Sequence, residues 1–527
     1  MLNCQKSYYI KALLICSVLG FRSGYTSDVG EVPQTNDFLA TLHHRLQGDL
    51  NLNTENDNSK NPLMDRICQQ ILAKVSPTDA LIERIKLNIP YIYKINFQAL
   101  RVGEEINHMG TGFLLDGDKG IIVTNYHVVP GNLAGIITVI TDQGEEYSSP
   151  FVKILQTSVG YQFGDFTFLQ VDELASKNLQ APLSIAKELN VKKHDLLGFM
   201  GNSSGSFTVE VGGVNDLYYY WDTPQARGSM SISVALGACG GASGSPVFNK
   251  EGEVMGILFA GDNVHNMILP ISYVMDAYEQ LKAGERITAV SLGVPLISQS
   301  IHNLNLYRHL SPTILKDYIA SDDQEFKLMV AQPFTSPSTD IIQYNDIVLT
   351  VDGKKIGTNQ IELNKLLKSS KIHTVEVLRN GELMELKNVP TVTYSQSFVQ
   401  YIEVNNTIFS SADSSLADRS GLASGTVLVK MPGIEENLQI TKVHNTKVTT
   451  FNDFIQALFD TVEQKKIATF SLLAKLPWGE AMTHLQMDLR NNQGKSLYVT
   501  QMNEVTHQWE NIDYKDYVTH LPQQPTI

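Results

Sequence analysis

The chain has 527 residues, 43% hydrophobic and 18% charged, with 37 glycines and 19 prolines, a composition that belongs to globular proteins. At about 150 residues per domain, that length predicts three or four units rather than one core. A net charge of -14 and a pI near 5.4 argue against nucleic acid as a partner, because phosphates need a basic face and no long basic run supplies one.

In chain order, residues 1–26 read as a signal peptide or N-terminal anchor. Lys6 and Lys11 lead into an apolar stretch from Ala12 to Gly20. That stretch is too short for a bilayer core of about 30 Å but suits the apolar region of an export signal. The expected location is therefore outside the cytoplasm, in the periplasm or cell envelope if the source is bacterial. Residues 27–78 read as a polar, flexible extension with helical patches, one around Phe38–Leu46 and one over 64–75, where Ile67, Ile71 and Leu72 share a face. Past the signal only Cys68 and Cys239 remain, so no disulfide framework is expected, and neither has a metal-ligand neighbour. No metal and no cofactor is expected.

From residue 89 the hydrophobic period becomes two. Runs such as "YIYKINFQAL", "GIIVTNYHVV", "DFTFLQV" and "GEVMGILFAG", separated by Gly, Asp and Asn turns, predict a β-barrel or sandwich of about 200 residues over 79–284, closed by a helix in 270–284. After Gly284, "VDGKKIGTNQIELNKLL" and "VHNTKVTTFNDFIQALF" superpose at a constant offset of 92 residues, from Val351 to Val443. Each predicts a strand, a two-residue polar turn and an amphipathic helix, so duplicated small domains are expected at 285–392 and 396–492. The tail 493–527 has no pattern to assign.

The segment "GACGGASGSPVFNKEGEVMGILFAG" (237–261) holds seven glycines around Ser243. Such a cluster marks a backbone shape that a Cβ forbids, either a tight turn or a pocket of converging amides. A serine becomes a nucleophile when a base takes its proton and a third group orients the base. The β-rich segment offers His127 and Asp165 for those two roles, both on loops beside strands. "GASGS" also comes within one residue of the G-x-S-x-G elbow of α/β-hydrolases, but the β-rich surroundings and the upstream "TNYHVV" argue against that fold.

"GTGFLLDGDKGIIVTNYHVV", "GDFTFLQVD", "GFMGNSSGSFTVEVGGV" and "GASGSPVFNKEGEVMGI" together resemble, in order, the histidine, aspartate, following-strand and serine blocks of the HtrA/Deg family of chymotrypsin-fold serine proteases. The resemblance covers residues 110–261. It implies Ser243 as nucleophile, His127 as general base and acid, Asp165 as orienter of the imidazole, and the N–H groups of Gly241 and Ser243 as oxyanion hole. Three departures stand out: Ala242 where the family usually has Asn, Ser245 where it has Gly, and Ser203 where it has Pro. The same alignment puts the substrate pocket at Gly237, Ala238 and Leu258–Ala260, with no acid at its base. An apolar P1 residue is therefore expected, with Asp262 the nearest residue in sequence that would upset this.

The two C-terminal units resemble the family's PDZ domains. "SLGVPL" (291–296) stands at the carboxylate-binding loop, where amides around Leu292, Gly293 and Val294 would receive a peptide C-terminus. Asn345 stands where that family has Gly, and Asp352 where it has Asn. The implied fold class is mainly β: a chymotrypsin-like double β-barrel followed by two PDZ-like α+β domains. The implied function is an ATP-independent serine endopeptidase acting on unfolded or misfolded exported proteins and their peptides, assembled as a homotrimer or higher oligomer. The alternative is a chaperone or peptide-sensing protein of the same fold with weak or no proteolysis.

Overall fold

The computed structural model describes residues 76–99, 107–131, 133–159, 163–177, 179, 183–220, 230–261, 265–294, 296–300, 304, 327–331, 341–357, 360–395, 400–405, 407–412, 426–430, 438–464, 466–476, 479–490, 497–503 and 505–520. The export signal, the helical patches predicted before residue 76, Cys68 and Asp262 lie outside the described residues. The chain forms two compact units, residues 1–80 and 81–527. Of the first, residues 76–80 are described; they begin helix α1 (Pro77–Lys86), where Ser76 Oγ accepts a hydrogen bond from Asp79 N–H at 3.1 Å. Everything below concerns the second unit.

The period-two runs form a barrel-like seven-stranded antiparallel sheet, called the first barrel below, and a closed antiparallel barrel, together a chymotrypsin-like fold. In the first, β1 (Ile92–Ala99), β2 (Asn107–Asp116), β3 (Ile121–Thr124), β4 (Gly135–Ile140), β5 (Glu146–Ser148), β6 (Val152–Thr157) and β7 (Thr167–Val171) lie in the order β5-β4-β1-β2-β3-β7-β6. A short helix α2 (Asp172–Ser176) follows. In the second, β8 (Leu196–Ser203), β9 (Ser206–Tyr220), β10 (Met230–Val234), β11 (Pro246–Phe248), β12 (Val254–Gly261) and β13 (Asn266–Pro270) close in the order β10-β13-β12-β11-β8-β9.

Alternation fixes what each strand buries. β1 turns Tyr93, Ile95 and Phe97 into the first barrel, where they meet Leu114, Ile122 and Leu169. β3 is buried on both faces, because Ile122 joins that core while Ile121 and Val123 join a second core on the seam. The seam core gathers Phe113, Phe168, Met200, Phe248 and Ile257 from both barrels, and each such side chain contributes about 1.5–3 kcal/mol by leaving water. Helix α3 (Ile271–Lys282), within the predicted 270–284, covers it with Val274, Ala277 and Tyr278, and the Tyr278 hydroxyl donates to Asp116. The seam therefore ties together the loops that leave both barrels.

The 92-residue offset is visible in the backbone. Thr350 pairs with Lys355 and Val351 with Lys354; Lys442 pairs with Lys447 and Val443 with Thr446. The turn residues Asp352 (φ 48°) and His444 (φ 52°) are both left-handed. Helices α4 (Gln360–Lys368) and α5 (Phe451–Glu463) follow, the latter opened by a capping box between Thr450 and Asp453. Asn345, where the resembled family has glycine, sits at φ 73°, a conformation that asparagine tolerates better than most residues. Beside it Asp346, fully buried, receives Nε and Nη2 of Arg379 at 2.8 and 2.7 Å. The tail has order that the sequence pattern does not announce: Tyr498–Asn503 and Gln508–Asp513 extend the sheet of the second C-terminal domain, and helix α6 (Tyr514–Thr519) packs on its core through Tyr514. That hairpin reaches the first barrel, where Met502 and Trp509 join the core and Gln508 Nε2 donates to Pro150 O at 3.3 Å.

Candidate active site

His127 stands just past β3, on a turn closed by Val128 N–H and Val129 N–H, which donate to Asn125 O at 3.2 and 3.1 Å. Asp165, 4% exposed, stands just before β7. Its backbone is fixed by Asn125 Nδ2, which donates to Asp165 O at 2.6 Å. Both carboxylate oxygens then serve His127: Oδ1 accepts from its backbone N–H at 3.0 Å and Oδ2 meets Nδ1 at 2.6 Å. A carboxylate at Nδ1 selects the tautomer with the proton on that nitrogen, which leaves Nε2 free to accept one. The side chain is 36% exposed, so the working face of the ring is open to a substrate. Burial lowers the imidazole pKa, but the charge and hydrogen bond of Asp165 outweigh it, and the net shift is upward from 6.5.

The serine loop runs from β10 to β11 with a regular hydrogen-bond pattern. The carbonyls of four successive residues are all taken: Gly240 O by Ser204 N–H at 2.9 Å, Gly241 O by Thr111 Oγ1 at 2.9 Å, Ala242 O by Ser245 N–H at 3.0 Å, and Ser243 O by Thr111 N–H at 2.7 Å. Two of the amides are taken as well, Ala242 N–H by Cys239 O at 3.1 Å and Gly244 N–H by Leu258 O at 2.8 Å. Among the described residues, no hydrogen bond takes Gly241 N–H or Ser243 N–H. A trans peptide points its N–H opposite its C=O, so tying the carbonyls of Gly240 and Ala242 sets the direction of those two free donors. Gly241 lies at φ 94° and a Cβ there would stand 2.5 Å from Asn202 O; Gly244 lies at φ 91° and its Cβ would stand 1.9 Å from Thr111 O. Glycine is required at both by backbone angle and by space. No hydrogen bond joins Ser243 Oγ to His127 among the described residues, a looseness common before substrate binds.

The sequence gives no role to Thr111, which turns out to be the hub of this loop. Fully buried on β2, it donates twice to the serine loop, its Oγ1 accepts from Asn202 N–H at 2.9 Å, and its carbonyl accepts from Thr124 Oγ1 at 2.6 Å. Its one mark in the sequence is "GTGF", a hydroxyl residue between two glycines, which does not by itself reveal these long-range contacts. At the expected pocket, Leu258 is buried in the second barrel, Ala238 is half-buried against it and Gly237 is exposed. The Glu210 carboxylate of β9 lies beside Gly237, 3.3 Å from where a Cβ would stand, a neighbour that only the fold reveals. Among the described residues, no group of three or more His, Cys, Asp or Glu is placed to hold a metal.

In the first C-terminal unit, Leu292 and Val294 bury their side chains in that unit's core, and Gly293 lies at φ 76°. Its N–H is already engaged, donating to Ser291 Oγ at 2.9 Å, while that hydroxyl donates to Tyr394 Oη at 3.3 Å.

Comparison with known proteins gives the following similarities. Residues 110–257 match the family model of the trypsin-like peptidase domain. Over 341 residues the chain is 26% identical to a pro-apoptotic serine protease, NMA111, of Debaryomyces hansenii, covering 62% of this chain and 33% of that one. It is 24% identical over 291 residues to the serine protease Do-like HtrB of Bacillus subtilis, covering 53% and 60% respectively. Among solved structures, the HtrA-type protease AlgW with tripeptide aligns at 16% identity and a TM-score of 0.41, over 59% of this chain and 97% of that one. The chain thus spans about a third of the length of the first curated relative it matches. Residues 110–257 thus match a trypsin-like peptidase domain, and over part of its length the chain is similar to proteins named serine proteases.

Proposed function

We propose that the chain is an ATP-independent serine endopeptidase that cleaves unfolded or misfolded proteins after apolar residues. Ser243 attacks the scissile carbonyl, His127 Nε2 takes its proton and passes it to the leaving amine, and Asp165 holds the imidazole and balances the imidazolium. The amides of Gly241 and Ser243 receive the negative oxygen of the tetrahedral intermediate, each worth about 3 kcal/mol. The observation that carries this reading is the backbone of the serine loop. Four consecutive carbonyls are tied back, and the amides of Gly241 and of Ser243 itself have no hydrogen-bond partner among the described residues.

The finer reading follows the same resemblance. The protein is exported and works as a homotrimer or higher oligomer, and the first C-terminal unit, a PDZ domain, binds peptide C-termini around Leu292, Gly293 and Val294. The test is cleavage of unfolded casein by the full chain beside Ser243→Ala, with and without a peptide ending in an apolar residue. Cleavage that disappears in the variant supports the serine mechanism, and stimulation by peptide supports the PDZ role. Suppressed casein aggregation without cleavage under any condition would replace this reading with a chaperone.

A further inference from the structure

The serine loop at Cys239 and Gly240 is held by hydrogen bonds, since packing does little there. Both residues are exposed, and a Cβ on Gly240 would meet nothing within 4 Å. What holds them is the hairpin between β8 and β9. Its ladder ends at the Ser203–Ser206 pair, and the two-residue turn Ser204–Gly205 has φ of 52° and 86°, as a primed turn requires. Two neighbouring groups of this hairpin grip two neighbouring groups of the loop. Ser203 Oγ accepts from Cys239 N–H at 2.9 Å, and Ser204 N–H donates to Gly240 O at 2.9 Å. Ser203 itself is 6% exposed and its Oγ faces the loop.

We infer that Ser203 is a positioning residue for the oxyanion hole, acting through the backbone of Cys239 on the Gly241 amide. The inference rests on the reading of Ser243 as nucleophile. The two hairpin bonds bracket the 239–240 peptide, so the next one, between Gly240 and Gly241, is held with Gly241 N–H away from Ser204. With the Cys239 bond gone, the Gly240–Gly241 peptide, flanked by two glycines, keeps Ser204 N–H as its one hold from the hairpin, and a small rotation about it misaims the Gly241 donor. The resembled family usually has proline at 203, which carries no hydroxyl. At 203 a side-chain acceptor thus meets an amide that a proline would leave without that partner. Thr111 secures the far side of the loop, at Gly241 O and Ser243 O, and Ser203 secures the near side.

The full chain, Ser203→Ala, Ser203→Thr and Ser243→Ala are compared on a chromogenic peptide substrate, for binding of a peptide boronate that forms a tetrahedral adduct, and for thermal midpoint. Misaiming one oxyanion donor acts on the transition state, so Ser203→Ala is expected to lose ~10-fold in kcat and in boronate affinity, with KM within about twofold and the midpoint little changed. Ser203→Thr keeps an acceptor oxygen and recovers both. Should alanine unfold the chain, Ser203→Cys, with similar volume and a poorer acceptor, carries the same expectation. Wild-type kcat in the alanine variant, an equal loss in the threonine variant, or a loss confined to KM and stability overturns the inference while leaving the nucleophile in place. A wild type that neither cleaves nor takes the boronate, and so matches Ser243→Ala, overturns the reading beneath it and the inference with it.

Discussion

Two loops of this molecule are built around glycine at positive φ and are expected to receive a negative oxygen, yet their amides are in opposite states. In the serine loop, the carbonyls of residues 240–243 are tied to Ser204, Thr111 and Ser245, and the amides of Gly241 and Ser243 are left free. In the 291–296 loop, the amide of Gly293 is itself tied, to Ser291 Oγ. A glycine at positive φ is common to both. What differs is where the neighbouring hydroxyl acts: Thr111 Oγ1 donates to a carbonyl and so leaves the amides exposed, whereas Ser291 Oγ accepts from an amide and so closes it. On the proposed function the first loop is preorganised for an anion, and the second would have to exchange an internal bond for one.

That contrast is tested most severely at Asp165, because a preorganised hole is of little use without an oriented base. Asp165→Asn keeps the shape but offers Nδ1 an amide, which favours the wrong tautomer. We expect kcat to fall by about 10⁴-fold with peptide KM nearly unchanged, measured on a chromogenic substrate. A fall of less than tenfold would mean that His127 is not working as the base. Next comes Thr111→Val, nearly isosteric, which leaves Gly241 O and Asn202 N–H unpaired in a buried site. We expect a loss of about 1–3 kcal/mol in stability from each stranded group, and about 10²-fold in kcat as the loop loses its anchor. Stability lost without kcat would make Thr111 a core residue only.

Thr111 also shows where the sequence could be read and where it could not. His127, Asp165 and Ser243 were singled out because each sits in a block that resembles one of the family's, and the structure brings the first two into contact; the barrels were legible because alternation is local. The 92-residue duplication was legible because both copies need the same left-handed turn, at Asp352 and His444. Thr111, Asn125 and Ser203 were not, because their importance lies in contacts across 130, 40 and 36 positions of chain, which no local period encodes. Glu210 was hidden for the same reason: the carboxylate reaches Gly237 only once β9 is in place. The tail escaped because strands that complete an existing sheet need little pattern of their own.

A smaller effect separates the two loops by pH. His127 has its pKa raised by Asp165 against the opposing effect of burial, so the acid limb of kcat/KM is expected above pH 6.5, falling tenfold per unit below it. The sign for stability is opposite. A raised folded-state pKa means that the protonated pair stabilises the fold fully below the unfolded value, and this contribution is lost as pH rises through the folded one. Activity from this pair therefore grows over the pH range in which its stabilisation fades. In Asp165→Asn the cause of the rise is gone, so the limb should move to lower pH in whatever activity remains; an unmoved limb would assign it to another group.

The smallest effect, and the one that decides whether the second loop is a binding loop at all, is at Ser291. A peptide carboxylate arriving at Gly293 N–H must displace Ser291 Oγ, and the bond it breaks is worth about 1 kcal/mol net. Ser291→Ala removes the competitor and leaves the left-handed Gly293, with Leu292 and Val294 still rooted in the core. The freed amide should tighten binding of a peptide with an apolar C-terminus by about fivefold, read by fluorescence anisotropy, and the gain should vanish when that terminus is amidated. Unchanged affinity would mean that the peptide does not use Gly293 N–H. Weaker affinity would mean that the hydroxyl holds the loop open for the ligand, and the two loops would then be alike: in each, a hydroxyl fixes the backbone so that other amides are free.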